Sequence, residues 1–122
     1  MSVRLDHTII AARDQDAAAR FLSEILGLPP PSPMAHFSVV KVGDTSLDFS
    51  STDDTISSRH FAFRVDAAEF DAMLDRVRGR GLTIWADPGR STPGKLYDWN
   101  GDRGFYFESP DGHLLEVLTR KA

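Results

Sequence analysis

Three residues of this 122-residue chain have side chains suited to gripping a divalent cation: His7, His60 and Glu116. Each is the odd residue in a stretch that otherwise reads as a β-strand. His7 lies in Leu5-Asp6-His7-Thr8-Ile9, His60 opens His60-Phe61-Ala62-Phe63, and Glu116 stands between Leu115 and Val117. Two imidazoles and a carboxylate, with coordination positions left over, form the facial set that holds divalent iron and also accepts manganese, zinc or nickel. If Leu114 and Leu118 share a face with Glu116, as strand alternation implies, the carboxylate needs a partner, because a lone buried charge is costly. Spacing alone leaves plainer roles open. A strand histidine can be a hydrogen-bonded core or surface residue, a late Glu can be solvated, and no short signature joins the three.

Asp48 is a fourth candidate ligand, since it alternates with apolar residues in Leu47-Asp48-Phe49-Ser50; the other reading is an exposed strand Asp. Tyr106 either faces the same site and donates a phenolic proton or packs in the core. His36 follows a proline run and His113 follows a turn, so both are expected to be solvated. Residues 87–104 make a long loop for so small a protein, and such loops are usually functional or disordered. With Arg90, Lys95, Tyr97, Trp99 and Arg103, this one reads as a lid for an aromatic, anionic substrate or as a surface excursion with Trp99 tucked against the core.

The elements that must position these residues form one unit written twice. Residues 3–11 read as a strand, Asp14 as a helix N-cap, and Ala18, Phe21, Leu22 and Ile25 as one apolar helical stripe. Gly27 and the prolines after it end that helix, and strands at 37–42 and 46–50 follow around Gly43-Asp44. Residues 51–59 are polar, acidic and serine-rich, which suits a linker. The pattern then restarts: a strand at 60–65, Asp66 as N-cap, and a stripe of Phe70, Met73, Leu74 and Val77 closed by Gly79 and Gly81. Strands at 82–86, 105–108 and 114–118 complete the second unit, with Pro110-Asp111-Gly112 as the last turn. His7 and His60 thus fall in matching first strands. A duplicated unit of this kind, paired within a chain or between chains, predicts an α+β fold: a cupped, mostly antiparallel sheet with helices outside and a ligand cavity inside.

Composition narrows the partners. The hydrophobic fraction of 41% and charged fraction of 26% are those of a globular protein with one modest core. A net charge of −4, with the basic residues scattered, argues against nucleic acid and against an anionic membrane surface. The absence of cysteine excludes disulfides, thiolate ligands and a thiol nucleophile. The first residues run straight into charge, and no apolar stretch approaches the roughly 20 residues of a membrane span. A cytoplasmic protein is expected.

The residues around these candidates resemble a known family. His7-Thr8 in a first strand, Phe21-Leu22 through Leu26-Gly27 in the helix, His60-Phe61-Ala62-Phe63, and the run from Phe105 through Ser109-Pro110-Asp111-Gly112-His113 to Glu116 are similar to the vicinal-oxygen-chelate superfamily. That superfamily includes glyoxalase I, extradiol dioxygenases, fosfomycin-resistance enzymes and bleomycin-resistance proteins. The resemblance spans nearly the whole chain and implies a single domain over 1–122, built of paired βαβββ modules at 1–52 and 59–122. It implies a metal at His7, His60 and Glu116 that chelates vicinal oxygens of a substrate. Asp48 falls where glyoxalase I keeps a longer glutamate ligand, and Tyr106 where fosfomycin-resistance transferases keep a tyrosine near the antibiotic. Those transferases also use a basic residue beyond the last strand, where this chain offers Arg120 and Lys121.

In single-domain relatives two chains pair, which implies a homodimer whose sites draw His7 from one subunit and His60 with Glu116 from the other. The function implied is a metal-dependent enzyme acting on a small oxygen-rich metabolite or antibiotic. The metal would serve as Lewis acid, and Glu116, Asp48 or Tyr106 would move the proton. The alternative is a metal-free drug-sequestering protein of the bleomycin-resistance type, with Trp99, Tyr97 and Tyr106 as groove walls. A third reading is ring-cleaving dioxygenation on iron.

Overall fold

The computed structural model describes residues 2–119, which fold as two βαβββ units, one ending at Ser57 and the other beginning at Ser58. In the first, β1 (His7–Ala12) leads into α1 (Gln15–Leu26), followed by β2 (Ser32–Met34), β3 (Phe37–Val42) and β4 (Thr45–Ser51). The strands lie in the order β1-β4-β3-β2, with β1 and β4 parallel and the other neighbours antiparallel. The second unit repeats this scheme. Its elements are β5 (His60–Val65), α2 (Ala67–Gly79), β6 (Tyr97–Trp99), β7 (Asp102–Glu108) and β8 (Leu114–Thr119), in the order β5-β8-β7-β6. The expected α+β class and mostly antiparallel pairing are what the chain adopts. Among the described residues no helix is long and apolar enough to cross a membrane.

Each helix starts and stops for a local reason. The Asp14 carboxylate accepts the amide hydrogens of Asp16 and Ala17, and Gly27 closes α1 at φ 67°, a left-handed conformation costly for residues with a Cβ. Asp66 and Glu69 form a reciprocal capping box at the start of α2. The expected stripes on both helices are buried: Ala18, Phe21, Leu22 and Ile25 in α1, and Phe70, Met73, Leu74 and Val77 in α2. Each large member of these stripes contributes about 1.5–3 kcal/mol by leaving water. Phe70 meets Phe105 of β7 edge-on, at 5.4 Å between ring centroids, so α2 covers one face of its sheet. Period-two alternation then sends the histidines and carboxylates of interest to the opposite face.

Several expectations are corrected. The first strand begins at His7; before it, the Leu5 carbonyl accepts from the Thr45 hydroxyl and the Asp6 carbonyl from the Ser46 amide. A short edge strand, β2, forms around Pro33, and an edge is where a sheet tolerates a residue without an amide hydrogen. Residues 82–86 form no strand: only Trp85 bridges, to Tyr106 and to Pro93. A third of the supposed loop at 87–104 is sheet, at 97–99 and 102–104. Asn100 (φ 53°) and Gly101 (φ 84°) turn β6 back onto β7 as a tight hairpin, the two-residue geometry that needs positive φ at both positions. Arg120 and Lys121, considered as basic residues past the last strand, lie outside the described residues.

A candidate metal-binding face on the second sheet

The parallel pairing of β5 with β8 sets His60 opposite Leu114 and Ala62 opposite Glu116, so His60 and Glu116 share one face, a residue pair apart. The imidazole lies against the Leu114 carbonyl, with Nδ1 at 3.1 Å from that oxygen. A carbonyl only accepts, so Nδ1 carries the hydrogen, and in the neutral ring Nε2 is left with a lone pair. That lone pair faces Glu116 Oε1 at 3.0 Å. Two acceptors at that distance need a positive charge to reconcile them, either a proton or a cation. Glu116 is buried and its neighbours on β8 are apolar, which sharpens the need.

The other carboxylate oxygen is taken. The Tyr97 hydroxyl donates to Glu116 Oε2 at 2.5 Å. Tyr97 reaches across β7 because its register partner there is Gly104: a Cβ on Gly104 would overlap Cζ, Cε2 and the hydroxyl oxygen of Tyr97. Tyr106 sits opposite Glu116 in the β7–β8 ladder, with its ring 5.8 Å from His60 and 5.9 Å from Tyr97. Both phenols are held above their ordinary range. For Tyr97 the main cause is burial, followed by its hydrogen bond to Glu116; for Tyr106 it is burial, followed by the Glu116 charge. Both therefore act as donors.

Beyond Tyr106 the face continues through its bridge to Trp85. The Arg90 guanidinium lies 5.8 Å from the Trp85 ring centroid and places Nη2 3.3 Å from Glu108. Among the described residues its buried Nε has no hydrogen-bond partner, and its backbone sits at φ 60°. The turn that carries it is tied down by Asp87, whose carboxylate accepts from both the amides and the hydroxyls of Ser91 and Thr92. Those bonds hold Asp87 below the usual carboxylate range. Residues 87–92 are thus a built turn. Trp99, expected in one reading against the core, is 72% exposed.

The first sheet carries the other two candidates. His7 Nδ1 donates to Asp6 at 2.7 Å, which holds the imidazole above its ordinary pKa; burial opposes this and the Asp48 charge adds to it. Asp48 lies opposite Ile9 in the β1–β4 ladder, on the His7 face. It is 3% exposed, and its Oδ1 has no hydrogen-bond partner among the described residues. The expected candidates thus assemble as His60, Glu116 and Tyr106 on one sheet, and His7 with Asp48 on the other. Among the described residues there is no group of three His, Asp or Glu placed to hold a metal ion together.

The donor set nevertheless fits such an ion. In both histidines Nδ1 is engaged by an acceptor, the arrangement that orients a metal-binding Nε2. Two ligands about 2.1 Å from one ion are about 3.0 Å apart at octahedral angles and about 3.4 Å at tetrahedral ones, and His60 Nε2 and Glu116 Oε1 stand at the octahedral end. The orphaned Asp48 oxygen is a further donor of the right chemistry.

Two residues of this region differ from expectation. His113 is buried, not solvated, and its Nδ1 accepts the Arg59 amide hydrogen, pinning the chain just before His60. Tyr97, expected in a loop, opens strand β6. His36 is exposed, as expected, and rests its ring on Phe37 at 4.2 Å.

Residues 4–117 match the model of the Glyoxalase/Bleomycin resistance protein/Dioxygenase superfamily. The chain belongs to that superfamily. It is similar to a solved structure named Oxidase ChaP-H1, at 50% identity and a TM-score of 0.96, over 98% of each chain. It is 27% identical to the glutathione transferase FosA of Serratia marcescens, over 93% of this chain and 78% of that protein. It is also 27% identical to the metallothiol transferase FosB of Shouchella clausii, over 94% of this chain and 79% of that one. These three relatives of this superfamily member carry the names of enzymes.

Proposed function

We propose that this protein is a divalent-metal-dependent enzyme acting on a small, oxygen-rich molecule, with His60, Glu116 and His7 as ligands and Asp48 as an optional fourth. The observation that carries the reading is the meeting of His60 Nε2 and Glu116 Oε1 at 3.0 Å, after Nδ1 has given its hydrogen to the Leu114 carbonyl. The oxidase and metallothiol transferase names of its relatives support it. As the resemblance implies, His7 is contributed by a second subunit of a homodimer.

When bound, iron, manganese, zinc or nickel supplies a Lewis acid for two vicinal substrate oxygens. The chain's own residues do the rest. Tyr106, a phenol that keeps its proton, faces the reacting group from the strand beside Glu116 and donates a hydrogen bond to charge developing on a substrate oxygen. Arg90, whose guanidinium lies over the Trp85 ring, offers a cation that orients a partly anionic molecule. The test is metal analysis of freshly purified protein, followed by titration with each ion. Protein that holds none and shows no affinity overturns the reading.

One observation favours a second reading, metal-free drug sequestration: the Tyr97 and Tyr106 rings lie 5.9 Å apart, and Trp85 is bridged to Tyr106 through the backbone, which gathers three aromatic residues. A panel of drugs that raises the melting temperature in the presence of a chelator would establish it.

A further inference from the structure

We propose that Tyr97 is a positioning residue that holds Oε2 of Glu116, so that the carboxylate presents Oε1 alone beside His60. This rests on the metal reading above. A free carboxylate has two equivalent oxygens and about four lone-pair directions, and it can rotate to offer either or both. Here the two oxygens have different partners: Oε2 accepts from the Tyr97 hydroxyl at 2.5 Å, and Oε1 lies 3.0 Å from His60 Nε2. The carboxylate is therefore fixed in rotation before any ligand arrives.

The sheet is built to make this contact. Tyr97 comes from β6, two strands away from β8, and its ring must cross β7 to reach Glu116. It does so over Gly104, where any Cβ would collide with the phenol. The Asn100-Gly101 turn fixes the register that sets Tyr97 opposite Gly104. Tyr106 packs against the ring from the side, at 5.9 Å and 44°. A tyrosine serving only to cover the sheet would not need a hydroxyl aimed at a buried carboxylate. Outer partners that fix a ligand's orientation typically govern metal affinity by about 10–100-fold.

The experiment compares wild type with Tyr97→Phe, which keeps the ring over Gly104 and removes only the hydroxyl. Both are titrated with Mn2+ and with Co2+, and the visible spectrum of the Co2+-saturated protein is recorded. The expected result is affinity weakened by about 10–100-fold, a changed Co2+ spectrum at saturation, and an unchanged far-UV circular dichroism spectrum. Gly104→Ala, which keeps the hydroxyl but pushes the ring aside, is expected to move affinity and spectrum in the same direction. Wild type and Tyr97→Phe with equal affinities and identical Co2+ spectra would overturn the positioning role while leaving the metal reading intact. A wild type that binds neither ion overturns both.

Discussion

Asp48 and Glu116 occupy the same place in the two modules: each lies on the strand running parallel to a histidine strand, opposite the residue two beyond the histidine. The pairings are Ile9 with Asp48, after His7, and Ala62 with Glu116, after His60. Both carboxylates are buried, but they are served differently. Glu116 has Tyr97 and His60; Asp48 has one oxygen with no hydrogen-bond partner among the described residues.

That difference predicts opposite effects on stability and binding at Asp48. An unsatisfied buried polar group costs about 1–3 kcal/mol. Asp48→Val, which removes the unsatisfied oxygen at similar volume, is therefore expected to raise the melting temperature of the metal-free protein by about 3 °C or more, while lowering its affinity for a divalent ion. Calorimetry with and without chelator reads both. A destabilised metal-free variant, or one with unchanged metal affinity, would count against Asp48 as a ligand.

The proposed sharing of the site between two subunits makes a sharper prediction. His7→Ala and Glu116→Gln should each abolish high-affinity metal binding in the pure variants. Mixed by unfolding and refolding together, they should regain it, because in a mixed dimer one site combines the intact His7 of one chain with the intact His60 and Glu116 of the other. Isotherms of the mixture should then show up to a quarter of the wild-type sites, as roughly half the dimers are mixed and each restores one of two. No recovery would place all three ligands within one chain or dismiss the site.

Much of this arrangement was legible in the sequence, and the reasons differ by element. The helices declare themselves through Asp14, Asp66 and the two apolar stripes, since a cap and a 3.6-residue period are local signals. His60 and Glu116 stand out as polar residues in apolar strands. Tyr97 does not, because the short strand holding it, Tyr97-Asp98-Trp99, has too few residues to reveal a period of two. The Asn100-Gly101 pair after it is the available clue, being the strongest short-range hairpin signal there is. A histidine after Asp111-Gly112 looks solvated, yet His113 is buried. Its burial answers a long-range demand, that of the Arg59 amide for an acceptor, and no local pattern encodes that. The orphaned oxygen of Asp48 is visible only once its neighbours are in place.

The contact between Gly104 and Tyr97 predicts strong coupling. Gly104→Ala should destabilise by about 1–3 kcal/mol through overpacking against the Tyr97 ring. With Tyr97 already replaced by Ala, the same substitution should cost much less, since the space above residue 104 is vacated. Denaturant unfolding of the four proteins gives the interaction energy. Strict additivity would show that the ring does not lie over residue 104 in solution.

The turn that carries Arg90 should loosen in acid. Folding lowers the pKa of Asp87, so its contribution is complete above the ordinary carboxylate range and lost as pH falls through the lowered value. Hydrogen exchange at the Ser91 and Thr92 amides should accelerate over that acid interval beyond the intrinsic trend. Asp87→Asn should show weaker protection at neutral pH and no such transition. Protection that is flat with pH in the wild type would assign the turn's order to something else.

The close passage of the Tyr97 ring over Gly104 also constrains how this protein can change over evolutionary time. A substitution at residue 104 is obstructed while the ring is present, whereas loss of the ring at residue 97 opens position 104 to larger side chains. Once a side chain has filled that position, restoring the tyrosine requires the glycine to return first. The two sites therefore record an order of events, and the step away from the tyrosine works as a ratchet.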